Sequence, residues 1–294
     1  MRSNTFDIDS LQCWPLPKKP DMVNVLLLFH ATLNFMKVKK SLGQNFLQSE
    51  EALAKIVEAG EISASDIVFE IGPGTGNLTK HLLQTAGQVI AIEKDEALFT
   101  SLLKKFKKEI ESGRLVLISG DILEYDENNL PRDYKLVANI PYYITGLIIK
   151  KFLSANHQPK LAVLLVQKEV AERIVVKDGK ESILSLSVKA YATPRMVGIV
   201  EAEHFKPVPK VDSAILKLSM VPNSFFKDKK DEKLFFEIIH RAFAHKRKIL
   251  LNNFLPEERE KIIEFLKNKK YSGNIRAEKL KLEDWKKVID LLRR

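Results

Sequence analysis

The chain has 294 residues, enough for one large domain and a smaller companion, and its 45% hydrophobic and 29% charged residues are those of an ordinary globular protein. A single cysteine, Cys13, excludes a disulfide framework and a cysteine-based metal site; His240 and His245 stand off the spacing that puts two ligands on one helix face, so no metal is expected. The net charge of +10 is concentrated: residues 206–294 hold 23 Lys and Arg against 13 Asp and Glu, while residues 1–205 balance, so the last third is either a solvated helical surface or a face for a polyanion.

Residues 1–35 read as an extension outside the fold. Trp14-Pro15-Leu16-Pro17 and Pro20 break any regular element, and the apolar run from Met22 to Phe35 is too short for a membrane span. It is followed by no small-residue cleavage site, and the segment carries too much acid for a mitochondrial presequence. Met36 is therefore the expected start of the folded part, in a reducing, cytoplasmic setting without membrane contact.

Lys39 to Leu47 is basic and polar, and Ser49 caps a predicted helix running to about Ala59. Ile67 to Ile71 is a short buried strand, Gly72-Pro73-Gly74-Thr75-Gly76 a turn, and Asn77 to Thr85 the next helix. A second strand runs from Gln88 and ends at Glu93, and Asp95 caps a helix from Glu96 to about Ile110. The third strand, Arg114 to Ile118, leads to Gly120-Asp121; the fourth ends at Asn139. A helix over Gly146 to Leu153 and a strand over Leu161 to Val166 follow. Strand alternating with helix over this length predicts an α/β fold with a mostly parallel sheet wound on both faces. Beyond it an antiparallel pair is predicted near Arg195 to Val200 and Ala214 to Leu218, then helices over Asp231 to Ala244, Glu257 to Lys269 and Leu282 to Leu292. The expected division is an α/β domain over 36–220 and a smaller, basic helical domain over 221–294.

The chemistry gathers at strand ends. The glycine turn after Glu70-Ile71 lets backbone approach a ligand closely, and Glu93 ends the second strand where a carboxylate accepts both hydroxyls of a ribose. A dinucleotide fold shares those features. Two details separate this chain from one: Glu70 would repel a pyrophosphate yet suits an ammonium, and Asp121 suits an adenine amino group. The ordered set Gly72, Glu93, Asp121 and Asn139 thus points to S-adenosylmethionine as cofactor. Asn139-Ile140-Pro141-Tyr142 closes the fourth strand. Pro141 biases Ile140 toward extended backbone, so the Asn139 oxygen and Ile140 carbonyl converge as two acceptors for an exocyclic amine, with Tyr142 as a ring to lie against it.

From about Lys39 onward the chain closely resembles the KsgA-type ribosomal RNA small-subunit adenine N6-dimethyltransferases. The matching stretches are Leu42 to Leu47, Glu70 to Gly76, Gly120-Asp121, Asn139 to Tyr142, Gln167 to Val170, Pro209 to Ala214, and Ala242-Phe243 through Arg247-Lys248. It departs from the family at Ile183-Leu184-Ser185, where Tyr-Gly is common, and at Val208, where proline is.

The resemblance implies a class I methyltransferase with a seven-stranded sheet, acting as a monomer on a 30S-type particle. It implies dimethylation of N6 on two adjacent adenines in a hairpin near the 3′ end of small-subunit ribosomal RNA. Asn45, Leu47, Glu70, Gly72, Gly74, Glu93, Asp121 and Asn139 would hold the methyl donor, and Phe205 would close on the target base opposite Tyr142. Arg241, Lys246, Arg247 and Lys248 would meet RNA phosphates. Two alternatives stay open: a resistance-type methyltransferase of large-subunit RNA, which shares the Asn-x-Pro-Tyr site, and an assembly or transcription factor that retains the fold.

Overall fold

The computed structural model describes residues 44–221, 225–245 and 247–293. The reading of residues 1–35 as an extension, and Lys246, lie outside them. The chain opens with a two-residue strand β1 (Phe46–Leu47) and helix α1 (Glu50–Ala59), whose first turn is capped by the Ser49 hydroxyl accepting from the Ala52 N–H at 3.2 Å. It continues through β2 (Ile67–Ile71), α2 (Asn77–Thr85), β3 (Gln88–Glu93), α3 (Glu96–Lys105), the short α4 (Lys107–Glu111) and β4 (Leu115–Ser119). Then come β5 (Lys135–Asn139), α5 (Thr145–Leu153), β6 (Leu161–Gln167), α6 (Lys168–Val175), α7 (Ile183–Lys189), β7 (Ala192–Val200), β8 (Phe205–Lys206) and β9 (Ser213–Met220).

Seven strands form one sheet in the order β4-β3-β2-β5-β6-β9-β7. The first five run parallel; β9 lies antiparallel to both β6 and β7. Sequence order reverses between β2 and β5, which makes the crevice beyond their carboxyl ends the natural ligand site of such a sheet. Parallel strands covered on both faces read as unbroken apolar runs, and Leu161 to Val166 are all buried. Alternation along each strand feeds two cores. Phe69, Leu136 and Ala138 face one side, with Ile148 and Phe152 of α5. Val68 and Val137 face the other, with Ile56 of α1 and Leu82 of α2.

One helix differs from expectation. The predicted helix from Glu96 to Ile110 is broken at Phe106, whose backbone leaves the helical region (φ −112°, ψ 30°). The break turns the Phe106 ring inward against the glycine turn, and a methyl group built on Gly76 would stand only 2.5 Å from it. A tertiary contact therefore overrides local helix propensity.

After β9 the chain forms α8 (Lys229–Phe243), α9 (Pro256–Asn268) and α10 (Leu282–Leu292). These helices build a third core around Phe235 and Trp285, both fully buried, which also takes in Leu186 and Ala190 of the α7 region. The described residues all fall within one compact unit. Among the described residues no helix is long and apolar enough to cross a membrane.

Candidate active site

Four strand ends meet on either side of the switch point. Gly72 follows β2, Glu93 ends β3, Asp121 follows β4 and Asn139 ends β5, and all four line one open cleft. Asn45, Gly74, Lys94 and the run Ile140-Pro141-Tyr142-Tyr143 complete its wall. The glycines divide their work. Gly72 has a φ of +64°, and a methyl group added to it would meet nothing within 4 Å, so the space beside it is a cradle for a ligand. A methyl group on Gly74 (φ +60°) would instead lie 2.8 Å from the Phe46 ring.

Glu93 is 5% exposed, and backbone holds both of its oxygens: Oε2 accepts from the Gly74 N–H at 3.0 Å and Oε1 from the Asp95 N–H at 2.8 Å. Burial pushes its pKa up, and these two N–H groups oppose that shift. A carboxylate has about four lone-pair positions, so room remains for ribose hydroxyls. Asp121 is held the opposite way. Its Oδ1 accepts from the Leu123 N–H at 2.9 Å and its Oδ2 from the Lys94 ammonium at 2.6 Å, and the Lys94 contact keeps its carboxyl below the usual range.

Glu70 and Leu47 lie behind the cleft, where they line a smaller adjoining cavity that also touches Gly72 and Asn139. Glu70 is 1% exposed, and its Oε2 has no hydrogen-bond partner. Burial raises its pKa to about 8; the Thr79 hydroxyl alongside lowers it somewhat, and the Glu93 carboxylate raises it further. The Leu47 carbonyl accepts from the Asn77 side-chain amide at 2.9 Å, which ties β1 to the start of α2.

The reacting end of the cleft is built by two fixed side chains. The Asn139 amide nitrogen donates to the Asn45 carbonyl at 3.0 Å, which leaves Oδ1 as the atom to accept from a ligand. The Tyr142 hydroxyl lies 2.7 Å from Ser213 Oγ, and Ser213, at the start of β9, is fully buried. Burial raises the Tyr142 pKa, so its ring acts as a neutral face.

Phe205 is not brought to the cleft. It is 2% exposed and belongs to the core on the α1 side, where β8 pairs with β1 and sets Phe205 opposite Leu47. Of the basic residues, Arg241, Arg247 and Lys248 are all exposed. Arg241 is engaged: its guanidinium stands 2.7 Å from Glu258 and 5.0 Å from the centre of the Phe254 ring. Among the described residues, one group of three possible metal ligands converges, Glu201, Glu203 and His204; all are exposed and none lines the cleft.

Sequence reasoning missed Lys94, Ser213 and Tyr143. Lys94 follows Glu93 directly, and a lysine beside a strand-end acid is a visible signal. Ser213 lies inside a stretch legible only as a resemblance. Tyr143 sits next to Tyr142 with nothing in the sequence to say which ring faces outward.

Residues 35–294 match the model of the family described as ribosomal RNA adenine dimethylase. The chain belongs to that family. Among its relatives, the ribosomal RNA small subunit methyltransferase A of Dehalococcoides mccartyi (strain CBDB1) is 42% identical over 259 residues, covering 86% of this chain and 88% of that protein. The protein of the same name from Fusobacterium nucleatum is 38% identical over 262 residues, covering 87% and 97%. Of solved structures, the 23S rRNA methyltransferase ErmE is similar with a TM-score of 0.72 and 26% identity, over 85% of this chain and all of that one. A dimethyladenosine transferase from Plasmodium falciparum is similar with a TM-score of 0.69 and 30% identity, over 83% and 95%. A dimethylase needs a donor pocket beside an amine pocket, and the cleft offers acceptors at both ends.

Proposed function

We propose that this dimethylase uses S-adenosylmethionine to dimethylate N6 of two adjacent adenosines in the 3′-terminal hairpin loop of small-subunit ribosomal RNA, acting as a cytoplasmic monomer on a 30S-type particle. The observation that carries the reading is the convergence of Glu93, Asp121 and Asn139 on one cleft at the switch point of the sheet. The donor fits the residues present: the open cradle at Gly72, remaining acceptor capacity on Glu93, and an Asp121 oxygen that an adenine amino group can share with Lys94. When bound, it supplies a methyl group already activated on a sulfonium.

The chain's own residues then act on the target. An adenine amino lone pair is delocalised into its ring and is a poor nucleophile. Asn139 Oδ1, with the Ile140 carbonyl beside it, accepts hydrogen bonds from the two N6–H groups, which favours a pyramidal nitrogen and stabilises positive charge as it develops. The Tyr142 face, steadied by Ser213, receives the base once it leaves its stack, an unstacking that costs a few kcal/mol. No side chain is needed as a general base, since the product ammonium is acidic enough to release its proton to water. After one transfer the pocket must accept a methyl in place of one hydrogen.

The likeness to ErmE keeps large-subunit RNA as the second reading. The relatives named for the small subunit weigh against it. Transfer of tritium from labelled S-adenosylmethionine to unmethylated 30S and 50S particles tests both. Label on the 30S particle alone is expected; label on the 50S particle would move the reading there, and none on either would leave a binding protein.

A further inference from the structure

The turn that carries Tyr142 continues into the solvent face of α5, and that face is unusual at its start. Tyr143 is 61% exposed, and among the described residues it is the only exposed Phe, Tyr or Trp. It lines the same cleft as Asn139 and Tyr142. Leu147, one helical turn on, is 55% exposed, and Lys150 follows on the same side, also exposed. The intervening Ile144, Thr145, Ile148 and Ile149 are buried and anchor the turn and helix to the sheet. A rigid ledge therefore leads out of the reaction site: an open aromatic ring, then an aliphatic side chain, then a cation.

We propose that this ledge is a second base seat, in which Tyr143 stacks the nucleotide adjacent to the adenine being methylated, Leu147 flanks that base, and Lys150 meets the backbone phosphate. The inference rests on the functional reading above, and it names how the substrate is held. An unpaired purine offers a flat π-face and an anionic backbone, which matches a ring followed one to two turns later by a lysine. Continuity decides the occupant. Tyr142 and Tyr143 are consecutive residues on one cleft wall, so a base lying against the first leaves its neighbour in the strand beside the second. Two adjacent targets also require that whichever adenine is outside the pocket be held near it, so that the pair can exchange places.

The test compares Tyr143→Ala, Tyr143→Leu and Tyr143→Phe for transfer to unmethylated small ribosomal particles, with mass spectrometry of the methylation state at each adenine. Loss of a base stack should raise the RNA KM of Tyr143→Ala by about five- to a hundredfold with a smaller change in kcat. Tyr143→Leu should behave like Ala, because bulk without a π-face does not stack, and Tyr143→Phe should restore the wild-type KM. The melting temperature should stay unchanged in all three. Transfer by Tyr143→Ala with the wild-type KM and the wild-type ratio of products would overturn the seat alone. No transfer by the wild-type protein would instead overturn the functional reading, and the seat with it.

Discussion

The Asn139 side chain donates to the backbone carbonyl of Asn45 at 3.0 Å, across 94 residues of sequence. The contact joins the segment before β1 to the end of β5 and sets which atom of the amide faces the cleft. An asparagine oriented this way presents an acceptor to the target amine without rotating.

Asn139→Ala should therefore abolish methyl transfer, with a loss well beyond tenfold, while the protein still folds. A contact made to charge that develops in the transition state costs about two to three powers of ten when removed. Asn139→Asp should also fail, although it keeps an acceptor, because its carboxylate would face the Asn45 carbonyl with no proton to donate. Single-turnover transfer rates check both. Activity of either variant within tenfold of wild type would remove Asn139 from the reaction.

Glu93→Ala should weaken S-adenosylmethionine binding, since hydrogen bonds to a charged group contribute about 1.5–3 kcal/mol. The structure adds a second consequence. Glu93 also accepts from the Gly74 and Asp95 N–H groups, so the variant leaves two backbone donors unmatched and loosens the glycine turn. A lower melting temperature should accompany the loss of affinity. Calorimetry showing wild-type donor affinity would reject the assignment.

How much of this was readable from the chain follows from which contacts are local. The strands end where apolar runs end, so Gly72, Glu93, Asp121 and Asn139 could be placed on one edge from their spacing and the parallel order. Contacts between distant segments leave no such trace. Tyr142 and Ser213 meet across 71 residues, and the Phe106 ring at the break in its helix packs against Gly76. The resemblance sets Phe205 against the target base opposite Tyr142, yet the pairing of β8 with β1 draws it into the core. Arg241 belongs to a basic cluster by sequence, and in space it is matched by Glu258.

Glu70 should make stability depend on pH. Its folded pKa is about 8 against an ordinary 4.5, so from about pH 4.5 upward the unfolded chain releases a proton that the folded protein keeps. The folded state then binds more protons, and its stability falls as pH rises through that window, the decline being complete above about 8. Glu70→Gln removes the titration, so its stability relative to wild type should improve between pH 5 and pH 8 by on the order of a few kcal/mol. Denaturant titrations at both pH values check this. A difference between the two proteins that does not change with pH would show that the carboxyl is ionised in the fold.

The basic third of the chain yields the last prediction, and the structure splits its cluster in two. Arg241 lies over Phe254 and against Glu258 at the junction of α8 and α9, so its charge is already matched. Arg247 and Lys248 are exposed in the turn that follows α8, where a phosphate can reach them. Neutralising Arg247 and Lys248 together should weaken binding to the small ribosomal particle and lower the slope of log affinity against log salt by about 0.7–0.9 for each phosphate no longer neutralised. Donor affinity should not move, because neither residue lines the cleft. Arg241→Ala should do the reverse, lowering the melting temperature through poorer packing around its missing stem and loss of the ion pair with Glu258, with little change in the salt slope. Particle binding measured over a range of salt, alongside thermal melts, separates the two. A double variant that folds normally and keeps the wild-type slope would make this turn a solvated helix end, and the phosphate-binding residues would then have to be sought on the α5 face, beginning with Lys150.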